Sequence, residues 1–405
     1  MSELSSIFAW IDSQSDRMIG LVRDWAAVNS YSYNLSGLEQ VSGLLRSEWS
    51  RLGTVEEIPL GTEEIVDASG RVIPAPLGCA LRIRKRPDAP HQVFLCIHMD
   101  TVYPQDGPFQ QVTRIGANTL RGPGVCDAKG GLAVMLIAVE AMERSKWARD
   151  IGWEVLINPD EEIGSPGSSP LFEEAAKRNH VGLLFEPALP DGSMVAERGG
   201  SGNYAAVIRG RSAHAGRDFH NGRNAIVAAA QMSLKLSQLT SGGITVNVGK
   251  IDGGGPANVV PDLAICRFNV RAKAPLEQKT IQAGIEQVAG EIKRIEGISV
   301  GLHGGFHRPP KPLDQPTRQL QQQVEGCGKQ LGIATSWRYS GGVSDGNQLA
   351  AAGLPNIDSL GPRGGNIHSP EEFLLLDSLT ERAKLALMML MKIARGEEPS
   401  FCATD

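Results

Sequence analysis

The sequence lacks any apolar run near the roughly 18 residues that a membrane-spanning helix requires. Its most apolar stretches, Gly131 to Val139 and Leu385 to Leu390, have the length of buried helices, and no membrane partner is expected. A basic balance is also lacking, since 40 Lys and Arg stand against 45 Asp and Glu for a net charge of -5. That excludes the electrostatic footprint of a nucleic-acid binder and points to a small-molecule partner. The start, Met1-Ser2-Glu3 with Asp12, Asp16 and Arg17 soon after, has neither the basic beginning nor the apolar run of a secretory signal, so export is not expected. The six cysteines (Cys79, Cys96, Cys126, Cys266, Cys327, Cys402) form no C-x-x-C pair, and several lie inside apolar runs. Reduced thiols in a cytoplasm are favoured over a disulfide frame. No internal repeat or low-complexity tract is found.

The chain is long, and its 405 residues exceed what a single core usually supports, so two domains are expected. The first fifty residues predict two amphipathic helices, one around Met18, Leu21, Val22 and Trp25, the other from Leu38 to Trp49 and ended by Gly53. Strand and helix signals then alternate: Val93 to Ile97 as a strand, Gly131 to Met142 as a helix, Trp153 to Ile157 as a strand. This is an α/β pattern with a partly parallel sheet. Around Arg198-Gly199-Gly200-Ser201-Gly202 the texture changes to strands (Tyr204 to Ile208, Ile244 to Ile251, Leu263 to Arg271) about one helix starting near Asn224. After the Pro-rich Arg308-Pro309-Pro310-Lys311-Pro312 the α/β texture returns and ends in a helix from about Leu379 to Ala394. A small α+β domain (199–308) is thus inserted into a discontinuous first domain (1–198 and 309–405).

Polar residues with chemical potential sit at the ends of the apolar strands. His98 and Asp100 follow Val93 to Ile97, two apart and therefore on one face. Ligands of α/β folds gather at such strand ends, and Asp100 is in sequence reach to orient a metal-bound His98. Asp127 stands in the glycine-rich turn Arg121 to Gly131, which is no phosphate loop because Lys129 follows Ala128 and no Ser or Thr succeeds it. Asp160-Glu161-Glu162 follows the strand ending at Ile157, where one carboxylate can hold a metal while its neighbour handles a proton. Glu186 ends the run Leu183 to Phe185, and His368 lies in a glycine-containing loop from Gly361 to Glu372. Taken singly, His98 with Asp100 reads as a strand cap and Asp127 as a helix cap. As a set of imidazole and carboxylate donors they suit zinc, with cobalt or manganese as alternatives.

In this order the motifs resemble the co-catalytic zinc aminoacylase and carboxypeptidase family of deacetylases, desuccinylases, dipeptidases and glutamate carboxypeptidases. The resemblance rests on His98-Met99-Asp100-Thr101-Val102-Tyr103, Gly122-Pro123-Gly124, Asp127-Ala128-Lys129-Gly130-Gly131, Asp160-Glu161-Glu162, Phe185-Glu186-Pro187, Ser212-Ala213-His214-Ala215-Gly216 and Ile367-His368-Ser369. It implies a zinc-exopeptidase-like α/β catalytic domain with a mixed central sheet, and an inserted ferredoxin-like domain that serves as lid and dimer contact. It also implies two zinc ions bridged by Asp127, with His98 and Glu186 on one and Glu162 and His368 on the other. Glu161 would then be the general base, Asp100 the partner of His98, and His214 a residue that reaches the neighbouring subunit's cleft to stabilise an oxyanion. Asn258 and Arg271 lie in segments that resemble those binding the substrate's carboxylate, a role that suits the Arg271 guanidinium, and Arg308 is a second candidate, with a solvated linker residue before the prolines as its alternative.

The resemblance leans to the glutamate carboxypeptidase branch and implies hydrolysis of an amide bond in an N-acyl amino acid or peptide-like substrate with a free carboxylate. An N-acetyl or N-succinyl deacylase is the alternative, and a metal-free binding protein the alternative outside enzymes. Three segments depart from the family pattern: Ala128 after the bridging Asp, Gly341-Gly342-Val343-Ser344-Asp345, and the loop Gly361 to Asn366 with Arg363. None removes a metal ligand, but the last leaves the substrate open.

Overall fold

A strand buried on both faces reads as an unbroken apolar run, because neither face needs polar side chains. The run Val93 to Ile97 is of this kind, and in the computed structural model, which describes residues 3–397, it lies in the middle of the central sheet. Along the chain come α1 (Glu3–Ser13), α2 (Ser15–Ala26), α3 (Leu35–Trp49), β1 (Val55–Pro59), a hairpin of β2 (Thr62–Val66) and β3 (Val72–Pro76), β4 (Cys79–Lys85), β5 (His91–His98), α4 (Gly131–Glu143), β6 (Ile151–Asn158), α5 (Ser169–Ala176) and β7 (Val181–Leu184). There follow β8 (Gly200–Arg209), α6 (Ala225–Ser237), β9 (Ile244–Gly253), β10 (Leu263–Ala272), α7 (Pro275–Lys293) and β11 (Ser299–Arg308), then α8 (Gln315–Leu331), α9 (Asp345–Ala351), β12 (Asn356–Ile357) and α10 (Asp377–Ile393).

The central sheet has the order β1-β4-β6-β5-β7-β12. Strands β6, β5, β7 and β12 are parallel, with β12 at one edge, while β1 and β4 form an antiparallel edge at the other. Alternate residues feed opposite cores, as the two-residue period of a strand dictates. Val93, Leu95 and Ile97 join the cluster built with α2, α4 and α10, whereas Phe94 and Cys96 join Phe172, Ala175 and Leu349 on the other face. The apolar α4, from Leu132 to Val139, is buried all round, which is why its sequence shows no polar stripe.

Residues 200–308 build a second sheet, all antiparallel, in the order β9-β10-β8-β11, with α6 and α7 and a core of their own. The single helix expected here is joined by a second, α7, whose Ile281, Ile285, Val288 and Ile292 supply the buried stripe. Likewise α1 precedes the two helices expected at the N-terminus. Among the described residues no helix is long and apolar enough to cross a membrane. The five cysteines within them are free, and Cys402 lies outside the described residues.

Candidate metal centre and its cleft

Three parallel strands end side by side, and each delivers donors from its C-terminal end. Strand β5 closes on His98, β6 leads into Glu161 and Glu162, and β7 leads into Glu186. The fourth contribution comes from the turn before α4. Gly131 lets that helix begin against the end of β7, for a Cβ there would lie 2.1 Å from Phe185 O. Asp127 is thereby carried to the strand ends. His368 arrives from the C-terminal loop with a left-handed backbone (φ 62°), a conformation that costs a non-glycine residue on the order of 1–3 kcal/mol and that surrounding structure must hold.

The two oxygens of Asp127 face different partners. Oδ1 lies 3.1 Å from His98 Nε2, which is 4.0 Å from Glu186 Oε2. Oδ2 lies 3.5 Å from His368 Nε2, which is 3.3 Å from Glu162 Oε2. Donor atoms of a tetrahedral zinc site, with bonds of 2.0–2.1 Å, sit about 3.3 Å apart. One donor atom each from His98, Asp127 and Glu162 also lies within 4.8 Å of the others. The set therefore fits divalent cations in geometry and chemistry.

Electrostatics agree. Burial pushes the Glu186 carboxyl up to about 8, with the nearby Asp127 charge adding to the rise. Burial likewise raises Glu162 and Glu161, the latter well above the carboxylate range against the opposing pull of Arg308. Hydrogen bonds to Asp127 and Glu162 raise His368 to about 11. Acids that repel one another, and imidazoles that hold protons to compensate, mark a site short of positive charge. Divalent cations would provide it.

Asp100 organises this floor. It is fully buried, with Oδ1 3.2 Å from His98 Nδ1, and it accepts N–H bonds from Glu161 (3.2 Å) and Glu162 (3.1 Å) and the Ser32 hydroxyl (2.7 Å). One carboxylate thus sets both the ring of His98 and the backbone carrying the two glutamates. Asp160, the first of the three acids, turns inward and accepts from Gly167 N (2.8 Å) and Ser168 N (3.1 Å).

Three residues act here that sequence reasoning gave no role. Glu372, fully buried, accepts backbone N–H bonds from Gly124 (3.1 Å), Cys126 (2.9 Å) and Asp127 (3.0 Å) and the Tyr103 hydroxyl (2.6 Å), so it pins the turn that presents Asp127. Lys129 is buried and donates to Ser30 Oγ (2.7 Å) and to Met99 O, fixing the end of β5. Arg198, also buried, pairs with Asp358, which Lys311 shares at 2.9 Å. No spacing rule finds these contacts, because each partner is remote in sequence.

Above the donors lies a cleft of about 680 Å³ whose lining includes Asp127, Glu161, Glu186 and His368 on one side and Arg198 and Arg271 on the other. Arg271 donates from Nε to Asn269 Oδ1 (2.9 Å) and from Nη1 to Gly341 O (3.2 Å). Among the described residues it has no carboxylate partner, and burial lowers its pKa, so an anion beside it would be favoured.

Arg308, expected at the substrate, lines the cleft and is engaged there by acids of its own chain. The residue is 2% exposed, with Nη1 2.6 Å from Asp345 Oδ1 and Nη2 2.8 Å from Glu161 Oε1. Both terminal nitrogens meet acids of the chain itself, so Arg308 steadies Glu161 at the wall of the cleft. His214 and Asn258 are exposed near a short pairing of Ala213–His214 with Val259–Val260, and neither lines the cleft of its own chain.

Residues 94–392 match the sequence family described as peptidase family M20/M25/M40. The chain is 28% identical over 313 residues to carboxypeptidase G2 of Pseudomonas sp. (strain RS-16), which covers 75% of this chain and 74% of that protein. It is 28% identical over 297 residues to the succinyl-diaminopimelate desuccinylase of Nitrosospira multiformis, covering 69% and 76%. Among solved structures, a di-peptidase of Saccharomyces cerevisiae superposes with a TM-score of 0.76 at 14% identity, over 98% of this chain and 99% of that one.

Proposed function

Because the chain belongs to peptidase family M20/M25/M40, whose members are metal-dependent hydrolases of amide bonds, we propose that it is a two-zinc enzyme acting on an N-acyl amino acid or short peptide with a free carboxylate. The observation that carries this is the division of Asp127: Oδ1 toward His98 and Glu186, Oδ2 toward His368 and Glu162. Two zinc ions held by these five residues would supply Lewis acidity, acidifying a water and polarising the scissile carbonyl.

Glu161 is the base that takes the proton from the attacking water and delivers it to the departing amine nitrogen. Arg308 keeps it oriented through the 2.8 Å ion pair. Arg271 holds the substrate's carboxylate, an assignment supported by its place in the cleft without a carboxylate of its own. Residues 199–308 are the lid and the contact of a homodimer, and His214 of one subunit donates to the carbonyl oxygen in the other's cleft as charge develops. Its exposure outside its own cleft supports this reading. A cytoplasmic setting is supported by the five free cysteines.

The test is zinc-loaded protein against a panel of acetyl, succinyl and aminoacyl derivatives of glutamate and other amino acids, with free amine as readout, beside the variant Glu161→Gln. The variant is expected to retain two zinc ions per chain and to lose on the order of 10³-fold in kcat. Near-normal turnover in Glu161→Gln would overturn the assignment. Preference for small acyl groups over aminoacyl groups selects the deacylase reading, which similarity to the desuccinylase also favours.

A further inference from the structure

A second cavity, larger than the cleft beside the metal donors, adjoins it. A space of about 910 Å³ opens between the β2–β3 hairpin and the polar face of the second sheet, and it shares Asn203 and His307 with the 680 Å³ cleft. The pairing register accounts for the connection. Across strands β9, β10, β8 and β11 the first row on this face holds Thr245, Arg271, Ser201 and Arg308. Two residues along, and so on the same face, the next row holds Asn247, Asn269 and Asn203, and the third holds Lys250, Arg267, Ala205 and His303. Arg271 and Ser201 of the first row line the metal cleft, the third row lines the outer cavity, and Asn203 in the middle row borders both.

The middle row is a ladder of amides. Asn269 donates to Asn203 Oδ1 (2.7 Å) and to Ser201 Oγ (3.1 Å). Asn203 donates nothing in return, and the side chains of Asn247, His303 and His307 make no hydrogen bond among the described residues. A carboxamide offers donors and an acceptor together, the same pair that each unit of a peptide backbone presents. A cavity of 300–1,000 Å³ takes a ligand the size of a drug molecule, so the outer space is of no use to an acetyl or succinyl group held over the metals.

We propose that the polar face of the second sheet is a binding track for the acyl half of an extended, amide-rich substrate, a peptide of three or more residues. It rests on the reading of the cleft as an amide-hydrolase site and names the substrate class of that site. The scissile bond lies at the metal donors, and the preceding residues run past Asn203 and along Asn247 toward His303 and Lys250. Length is then recognised by hydrogen bonds far from the chemistry.

The experiment is calorimetric titration of zinc-loaded Glu161→Gln with N-acetylglutamate, Ala-Glu, Ala-Ala-Glu and Ala-Ala-Ala-Glu. Affinity is expected to rise about tenfold from N-acetylglutamate to the longer peptides, the effect of one or two added hydrogen bonds. Adding Asn247→Ala and His303→Ala is expected to bring that ratio back toward one. Binding of N-acetylglutamate with no gain on lengthening, or a gain that survives both substitutions, overturns the track and leaves the hydrolase reading in place. Failure of every compound to bind overturns the carboxylate reading of the cleft and the track with it.

Discussion

Asp127 owes its position less to its own side chain than to Glu372, which grips the backbone on which it sits. Hydrogen bonds to a charged acceptor are worth about 1.5–3 kcal/mol each, so three of them outweigh most single contacts in the turn. Glu372→Ala is therefore expected to weaken zinc binding by about 10–100-fold, the range found when partners behind metal ligands are removed, as read by competition with a chelator. Glu372→Gln, which keeps one acceptor oxygen, is expected to recover part of the loss. A lowered Tm with unchanged zinc affinity would reduce Glu372 to a strut. The contrast with the metal donors explains what a sequence discloses at this scale. His98 ends an apolar strand, and Glu162 and Glu186 come within four residues of the end of one, so the apolar runs place each near a strand end. Glu372 and Arg308 act through partners as far as 269 and 147 residues away, and nothing local distinguishes a carboxylate or guanidinium that will be buried against them. The ion pair of Arg308 with Glu161 accordingly left no trace in the sequence.

Among the elements, those that pack on both faces were the legible ones. Strands β5 and β6 and helix α4 appear in the sequence as apolar runs, and the observed bounds extend them by only a few residues. Helix α7 was missed because its buried isoleucines and valine are diluted by polar residues and by Gly284 and Gly290. The β2–β3 hairpin gave no signal either, with Pro74 and Pro76 inside it and a single buried position, Ala75. It nonetheless ties the two sheets together: Arg267 Nη2 donates to Val66 O (2.8 Å) and Arg209 Nη2 to Gly70 O (2.9 Å). The hairpin is thus a wall of the outer cavity, held to the second sheet. Replacing both arginines by alanine is expected to raise amide hydrogen exchange in residues 62–76 about tenfold while the exchange of β5 and β6 stays as it was, because the lost bonds concern the hairpin and not the central core. Unchanged exchange in the hairpin would show that its own pairing holds it.

For the whole molecule, the placement of His214 decides how many chains make one active site. The side chain is exposed, and the cleft of its own chain does not include it. If the proposed homodimer is built on a two-fold axis, each cleft receives the histidine of its partner by symmetry. Two inactive variants then complement each other. In a hybrid of a His214→Ala chain and a Glu161→Gln chain, the cleft of the first keeps its own Glu161 and receives an intact His214, while the other cleft carries both defects. Random reassociation makes half the dimers hybrid, each with one intact cleft of two, so mixing is expected to restore about a quarter of wild-type activity. A histidine serving its own chain leaves every cleft of the mixture with one defect, and activity then stays at the average of the two variants however long the subunits exchange. The same mixture, followed by sedimentation, reports whether exchange has taken place, so a flat activity trace with exchange complete counts directly against the contribution of His214 across the dimer.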